Sequence, residues 1–507
     1  DAGVDIFWKP SGRLQMTAAL NPDFGQVESD DLVVNFGAVE SFFSDKRPFF
    51  TENQGLFEVP FGAGNSRLLY TRRIGGPGDD GSGAGDVAAA VKLNGSLGHV
   101  NYGVLAASES GDAGRDFYAL RATRESDVHD FGGMLTHVDR PFLDRQATVL
   151  SFDHRYTPDA RWDVRTQWVG SGIEQSGRSI RDNGFQFRID HDLGQSGGWR
   201  QQLWGLHSGN DLQLNDIGYL DRNNFNYLRY EINRRIGSYP ETSRYAGSFW
   251  RYAASIRYND RGQHLWDAVA VNRQSETRNG GNEFWEIAMF GAGHDDLILR
   301  GNGVVKVPEK IISHYEGFWP RRGYWSFYVE SRIAAEGLEG AKGMGATFYL
   351  EPQYHFNDRM NLAVGVGMQK VPDWLLWQGG NQLGSFDSET LELKAAFNWI
   401  IGSRQELRVK LQAIGLDAEM KQAWRVAANG TPVRSSDVLA DFSLRNLGFQ
   451  VRYRYELAPL SDLYLVYARG GAMQDDYARG ASTQLRDSFD LRDDEQLLVK
   501  LSYRFEI

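Results

Sequence analysis

Leu497-Leu498-Val499-Lys500-Leu501-Ser502-Tyr503-Arg504-Phe505-Glu506-Ile507 closes the chain, and it fixes the fold class. Leu497, Val499, Leu501, Tyr503, Phe505 and Ile507 fall on every second position. Leu498, Lys500, Ser502, Arg504 and Glu506 fall between them. Successive side chains of a strand point to opposite faces, so this spacing sets one face in an apolar medium and the other in a charged one. A helix would scatter both sets around its axis.

The same script recurs upstream. Phe449, Val451, Tyr453, Tyr455 and Leu457 alternate with Gln450, Arg452, Arg454 and Glu456. Ala346, Phe348, Leu350, Tyr354 and Phe356 alternate with polar partners, as do Trp250 to Tyr258 and Phe185 to Ile189. Strands of soluble sandwiches usually run about 5–6 residues. These runs reach about 9–11, the length that crosses a bilayer at a tilt, and aromatic residues gather near their ends. Composition agrees. The 507 residues include 14 Trp, 22 Tyr, 29 Phe and 57 Gly, yet the mean hydropathy is −0.47. No segment approaches the ~20 apolar residues of a spanning helix. Cysteine is absent, which removes disulfides and thiolate chemistry. A net charge of −11 without a basic run gives nucleic acid no footprint.

The expected fold is therefore all-β: a single large antiparallel transmembrane β-barrel over residues 1–507, with about 24 strands (22 to 26 by the pattern). Short turns fall at 157–161, 356–359, 402–405 and 458–462. Long loops are expected around 208–223, 375–388, 426–438 and 474–493, and the stretch 295–320 is the hardest to divide into strands. Some 22 strands enclose a lumen that needs a plug. Residues 22–67 lack alternation and read as that insert, in or under the lumen, and the glycine-rich run 75–85 reads as a flexible loop.

Asn21-Pro22-Asp23-Phe24-Gly25-Gln26-Val27-Glu28, Asp30, Asn35, Phe42-Phe43, Lys46-Arg47-Pro48-Phe49-Phe50, Glu52 and Arg72-Arg73-Ile74-Gly75 form an ordered signature. It resembles an uncharacterised family of bacterial outer-membrane β-barrel proteins whose barrel usually follows a periplasmic module resembling family-nine carbohydrate-binding domains. Leu299-Arg300-Gly301 matches a further short motif of those barrels. The resemblance implies an outer-membrane location, and with it a secretion signal in the precursor.

Glu28, Asp30, Glu40 and Glu52 lie near Lys46, Arg47, Arg72 and Arg73, and together they are the candidate constriction or binding residues. Their first reading is a salt-bridge network pinning the insert to the wall; a charged filter selecting solutes is the functional one. Calcium is the one ion these oxygens would suit, and no other cofactor is expected. Arg72 and Arg73 read as strand residues pointing to opposite faces. Leu501, Tyr503, Phe505 and Ile507 are the expected signal for membrane insertion. The ten histidines show no HExxH spacing, so no metal site is read, and there is no GxSxG elbow. His207-Ser208 offers parts of a barrel lipase without an orienting partner, so no catalytic residue is assigned. The expected function is a channel or transporter for polar solutes, oligosaccharide or anionic ones among them. The alternatives are an export or assembly component holding a partner protein or polymer, and an outer-membrane hydrolase. Expected partners are outer-membrane lipid and lipopolysaccharide, with a periplasmic or lipoprotein partner under the second reading; the barrel is expected to be monomeric.

Overall fold

A computed structural model describes residues 2–22, 30–194 and 197–505. It is all-β, with a 24-stranded antiparallel sheet, a two-stranded hairpin of Gly293–Asp295 and Val305–Val307, and two α-helices, Pro48–Thr51 and Ala481–Ser488. The strand number matches the count read from the pattern. One of the 24, Pro432–Ser435, is only four residues long and extends the ladder beside Gln405–Val426. Two compact units divide the chain, one built mainly of Val39–Ile232 and the other mainly of Leu265–Ile507.

In the first unit each strand pairs with the next in sequence, from Val4–Ser11 through Asp116–Arg124 to Trp199–Ser208. Turn chemistry sets the register. Ser176 and Gly177 both have positive φ (49° and 75°), the type I′ pair whose twist matches the flanking strands Trp162–Gln175 and Arg178–Asp192. In the second unit the ladder runs from Asn282–Phe290 through Lys310–Arg322, Trp325–Ala335 and Met344–Asn357 to Asp494–Ser502.

Burial is inverted relative to a water-soluble sheet. In Asp116–Arg124, Tyr118 and Leu120 are exposed while Phe117, Ala119 and Arg121 are buried. Across Met344–Asn357 and Met360–Gly379, Phe348, Leu350, Val366 and Met368 are exposed, whereas Glu351 is half-buried. Large apolar groups turned outward in row after row, with charges turned inward, suit a hydrocarbon surround. The polar face of the first unit is covered by residues 39–75: Leu56 and Phe57 seat on Gly103, and Phe61 on Gly184, where any Cβ would collide with the rings.

Three expectations need correction. Residues 375–388 are not a loop. They belong to Met360–Gly379 and Gln382–Gly402, joined by a tight turn. Alternation vanishes there because both faces are covered. Trp374 and Leu376 pack with Phe36, Val34 and Phe442, while Leu375 and Trp377 pack against the cluster of Leu299, Val305 and Trp424. Strands buried on both faces read as continuous apolar runs. Residues 474–493 contain the helix Ala481–Ser488, and the closing strand ends at Ser502, short of exposed Tyr503 and Phe505. Ile507 lies outside the described residues.

Leu120→Arg and Val366→Arg discriminate membrane from water directly. Each is expected to cost about 2–4 kcal/mol in lipid vesicles, against no more than about 0.5 kcal/mol for an ordinary wet surface site. Urea unfolding in vesicles measures it; a near-zero cost at both positions would exclude a lipid-facing surface.

Candidate functional site

Residues 39–75 carry little regular structure, so their backbone and charges must be satisfied by other means. Arg47 does most of this. Its Nη1 donates to Ile74 O at 2.7 Å, its Nη2 to Thr71 O at 2.7 Å, and both Nε and Nη2 reach the Asp45 carboxylate. The Asp45 side chain is buried, which alone would raise its pKa. Hydrogen bonds and charge from Arg47, with the Thr71 hydroxyl, outweigh burial and hold it below the usual carboxylate range.

The other candidates separate into distinct contacts. Glu40 pairs with Arg73 at 2.5 Å. Glu52 accepts from Gln15 of the strand Leu14–Leu20 at 3.0 Å, and Lys92 of Val87–Leu97 donates to the carbonyls of Phe49 and Glu52. Lys46 is exposed, and Arg72 lies over the Phe43 ring. In the second unit Asp30 is half-buried, and its neighbour Asp31 pairs with Lys410. Glu28 lies outside the described residues. Arg72 and Arg73 are not on a strand. They sit in the 3-10 turn Thr71–Arg73, whose tight pitch replaces the expected alternation.

A second network lay beyond the sequence reading. Asp216 accepts from Arg140 (2.8 Å) and Arg145 (2.7 Å), and Arg140 also grips Asp79 of the glycine-rich run at 2.6 Å. That run is no loose loop: Pro77 pairs with Ala84, and Gly75 N donates to Glu109, itself bound by Arg115. Burial pushes the Asp216 pKa up, and the two arginines bring it below the ordinary value. Toward the short turns of the same unit, an open polar cavity of about 710 Å³ is lined by Lys9, Arg13, Glu58, Asn94, Asn101 and Arg121.

The polar face of the second unit carries its charges unevenly. Glu286, Glu316, Glu330, Glu351 and Glu392 are half-buried on the strands Asn282–Phe290, Lys310–Arg322, Trp325–Ala335, Met344–Asn357 and Gln382–Gly402. The ladder registers place them on one face: Glu316 opposes Glu330, and Tyr328 and Tyr349 interleave with Glu351 and Glu330. Beyond Glu392 cations predominate on the same face, with Lys394, Arg408, Lys410, Arg452 and Arg454, and Glu406 and Asp462 pair with the arginines among them. The sequence held this signal as charges at every second position, but register between distant strands is what gathers them.

His207 does have an orienting partner. Its Nδ1 lies 2.8 Å from Asn226 Oδ1, and Asn226 donates to Asp260 at 2.7 Å. Ser208, the next residue of the strand, points to the opposite face. The pair His207-Ser208 therefore does not form a nucleophile and base.

The chain matches the model of the family described as "Domain of unknown function (DUF5916)" over residues 1–90 and 136–506, and it belongs to that family. No curated protein matches. Among solved structures, the unliganded ferric citrate transporter FecA aligns at 9% identity and TM-score 0.35, over 76% of this chain and 71% of that one. The siderophore receptor PirA from Acinetobacter baumannii aligns at 9% identity and TM-score 0.41, over 86% and 83%. A bacterial polysaccharide outer membrane secretin aligns at 8% identity and TM-score 0.30, over 60% and 98%.

Asp216→Asn leaves Arg140 and Arg145 short of their buried counter-charge and is expected to cost about 3 kcal/mol, read as faster protease cleavage within 75–85 and 209–224. Unchanged cleavage would mean the network does not hold these segments. The pH response follows from Asp45 and Asp216. Both have folded pKa values below the unfolded carboxylate value of about 3.9. Their stabilisation is complete above that value and disappears as pH falls through the folded values. Hydrogen-exchange protection factors of residues 40–75, corrected for the intrinsic pH dependence of amide exchange, should be flat from about pH 7 to 5 and fall sharply only below about pH 4.

Proposed function

We propose that the chain is an outer-membrane barrel that passes polar solutes through a lumen lined by the charged face. The exposed apolar face contacts lipid and lipopolysaccharide, and residues 39–75 act as an internal constriction held by Arg47 and the Asp216 network. The observation that carries this reading is the uneven charge of the polar face of the second unit, with glutamates in excess on one group of strands and lysine and arginine in excess, with Glu406 and Asp462 paired among them, on the next. In a water-filled pore, neighbouring bands of unlike net charge create a transverse field that orients dipolar or zwitterionic solutes and filters ions.

The glutamate band favours cations beside it, while the basic band supplies guanidinium forks suited to carboxylate or sugar-acid groups. A polar solute carrying both charges, or an oligosaccharide with acidic substituents, fits the pair better than a simple anion. The resemblance to barrels that follow a carbohydrate-binding module supports the oligosaccharide version.

Planar-bilayer recordings of the refolded chain test the proposal. Discrete conductance steps are expected, and Glu351→Gln with Glu392→Gln should move the reversal potential in a salt gradient toward the anion. A folded, inserted protein that never conducts would refute passage. Conductance with unaltered selectivity in the double variant would remove the glutamate band from the pathway.

A further inference from the structure

Within the glutamate band one position has the geometry of a metal centre. His314 and Glu316 stand two residues apart on Lys310–Arg322, so both side chains emerge from the same face, and Glu330 of Trp325–Ala335 lies opposite Glu316 in the ladder. His314 Nε2 is 3.2 Å from Glu316 Oε1 and 3.3 Å from Glu330 Oε1, and the ligand atoms of the three side chains lie within 4.8 Å of one another. Two ligand atoms held about 2.0–2.1 Å from a tetrahedral ion stand about 3.3 Å apart. A histidine that merely paired with a carboxylate would aim its N–H at one oxygen from about 2.7–2.9 Å. Here the buried Nε2 makes no hydrogen bond and faces both carboxylates at nearly equal range.

The surroundings hold the three groups in place. Tyr328 Oη donates to Glu330 Oε2 at 3.2 Å, which leaves Oε1 turned toward the histidine. The Phe284 ring meets the imidazole edge-on at 5.7 Å between centroids. Such partners fix ligand orientation. His314 also faces Glu286 and Arg332 across the two ladders. Glu286 accepts from Asn272, and the Arg332 guanidinium is drawn off to Glu336, so its positive charge has a counter-charge outside the cluster.

We propose that His314, Glu316 and Glu330 bind a divalent first-row transition-metal cation of the zinc class, with water or a passing solute completing its coordination. One imidazole nitrogen with two carboxylate oxygens suits such a borderline ion and is a poor match for calcium, which takes six to eight oxygens. The carboxylates of the neighbouring strands attract the ion, and the open side of the cluster lets it exchange. A bound cation would neutralise the middle of the glutamate band.

The test is a titration of the full, detergent-folded chain with Co2+, followed by its visible absorption, then displacement by Zn2+ and by Ca2+. One Co2+ per chain is expected, displaced by Zn2+ and retained against equimolar Ca2+. Binding should weaken on acidification, because protons compete with the metal for its ligands. His314→Ala and Glu316→Gln should each weaken it at least tenfold, and Tyr328→Phe by less, with fold checked by gel mobility before and after heating. Tyr328→Phe removes no ligand, so it keeps the comparison intact should a ligand variant fail to fold. Equal binding by the wild type and a folded His314→Ala variant, or no absorption change at millimolar Co2+, would overturn the site. The absorption is silent on conduction, so failure here leaves passage standing, and a non-conducting chain that binds Co2+ loses only the channel.

Discussion

A peptide group inside hydrocarbon finds no water, so each backbone N–H and C=O that enters a bilayer must be paired with another strand. That constraint produces the long registers of this sheet, such as the pairing of Gln382–Gly402 with Gln405–Val426. It also forces the side chains into two populations. Whatever a strand turns to the lipid must be apolar, so the polar groups needed for any aqueous function collect on the other face. The inversion at Leu120 and Arg121 is the smallest instance: adjacent residues, the leucine exposed and the arginine buried.

The charged face then has to be matched. Residues 39–75 supply part of the match with backbone, not with side chains. Lys92 ends on two carbonyls, and Arg47 spends two of its donors on Ile74 and Thr71. The carboxylates along this part of the chain do not form one site: Asp45 pairs with Arg47, Glu40 with Arg73 and Asp31 with Lys410, while Glu52 accepts from Gln15.

The strands were legible because period two is local: ten consecutive residues suffice to reveal a lipid-facing set. Where a second layer covers the lipid-facing side, the signal disappears, and Trp374-Leu375-Leu376-Trp377 read as a loop although it is strand. Arg72 and Arg73 failed for a different reason, since two adjacent arginines carry no mark of the 3-10 turn that holds them. Leu299-Arg300-Gly301 was legible as a motif but not as a structure. Arg300 adopts a left-handed φ of 51°, donates to Phe36 O and Gly37 O more than 260 positions away, and stacks on Trp377. The cluster at His314 carries no helical ligand spacing such as HExxH. On a strand the equivalent is His-x-Glu, and its third member comes from register, which no local window contains.

Arg445 shows how far the apolar surface extends. It stands on the same face as Leu447, Phe449 and Val451, where a bare guanidinium in lipid would be costly. The helix Ala481–Ser488 lies over it: Gln484 and Asp475 accept its hydrogen bonds at 2.8 Å, and Gly415 opposite leaves room for the helix backbone. On the proposed reading, hydrocarbon must end where this cover begins. From Gln405 to Gly415 is a climb of ten residues along the strand Gln405–Val426. At about 3.3 Å per residue and a tilt of about 40°, this gives a height of about 25 Å, the thickness of an outer-membrane apolar band. The helix therefore sits at the edge of the slab, and the remaining half of these unusually long strands stands clear of it. There both faces are packed by protein, Val34 and Phe36 on one side and Leu299 and Val305 on the other, because lipid no longer covers either.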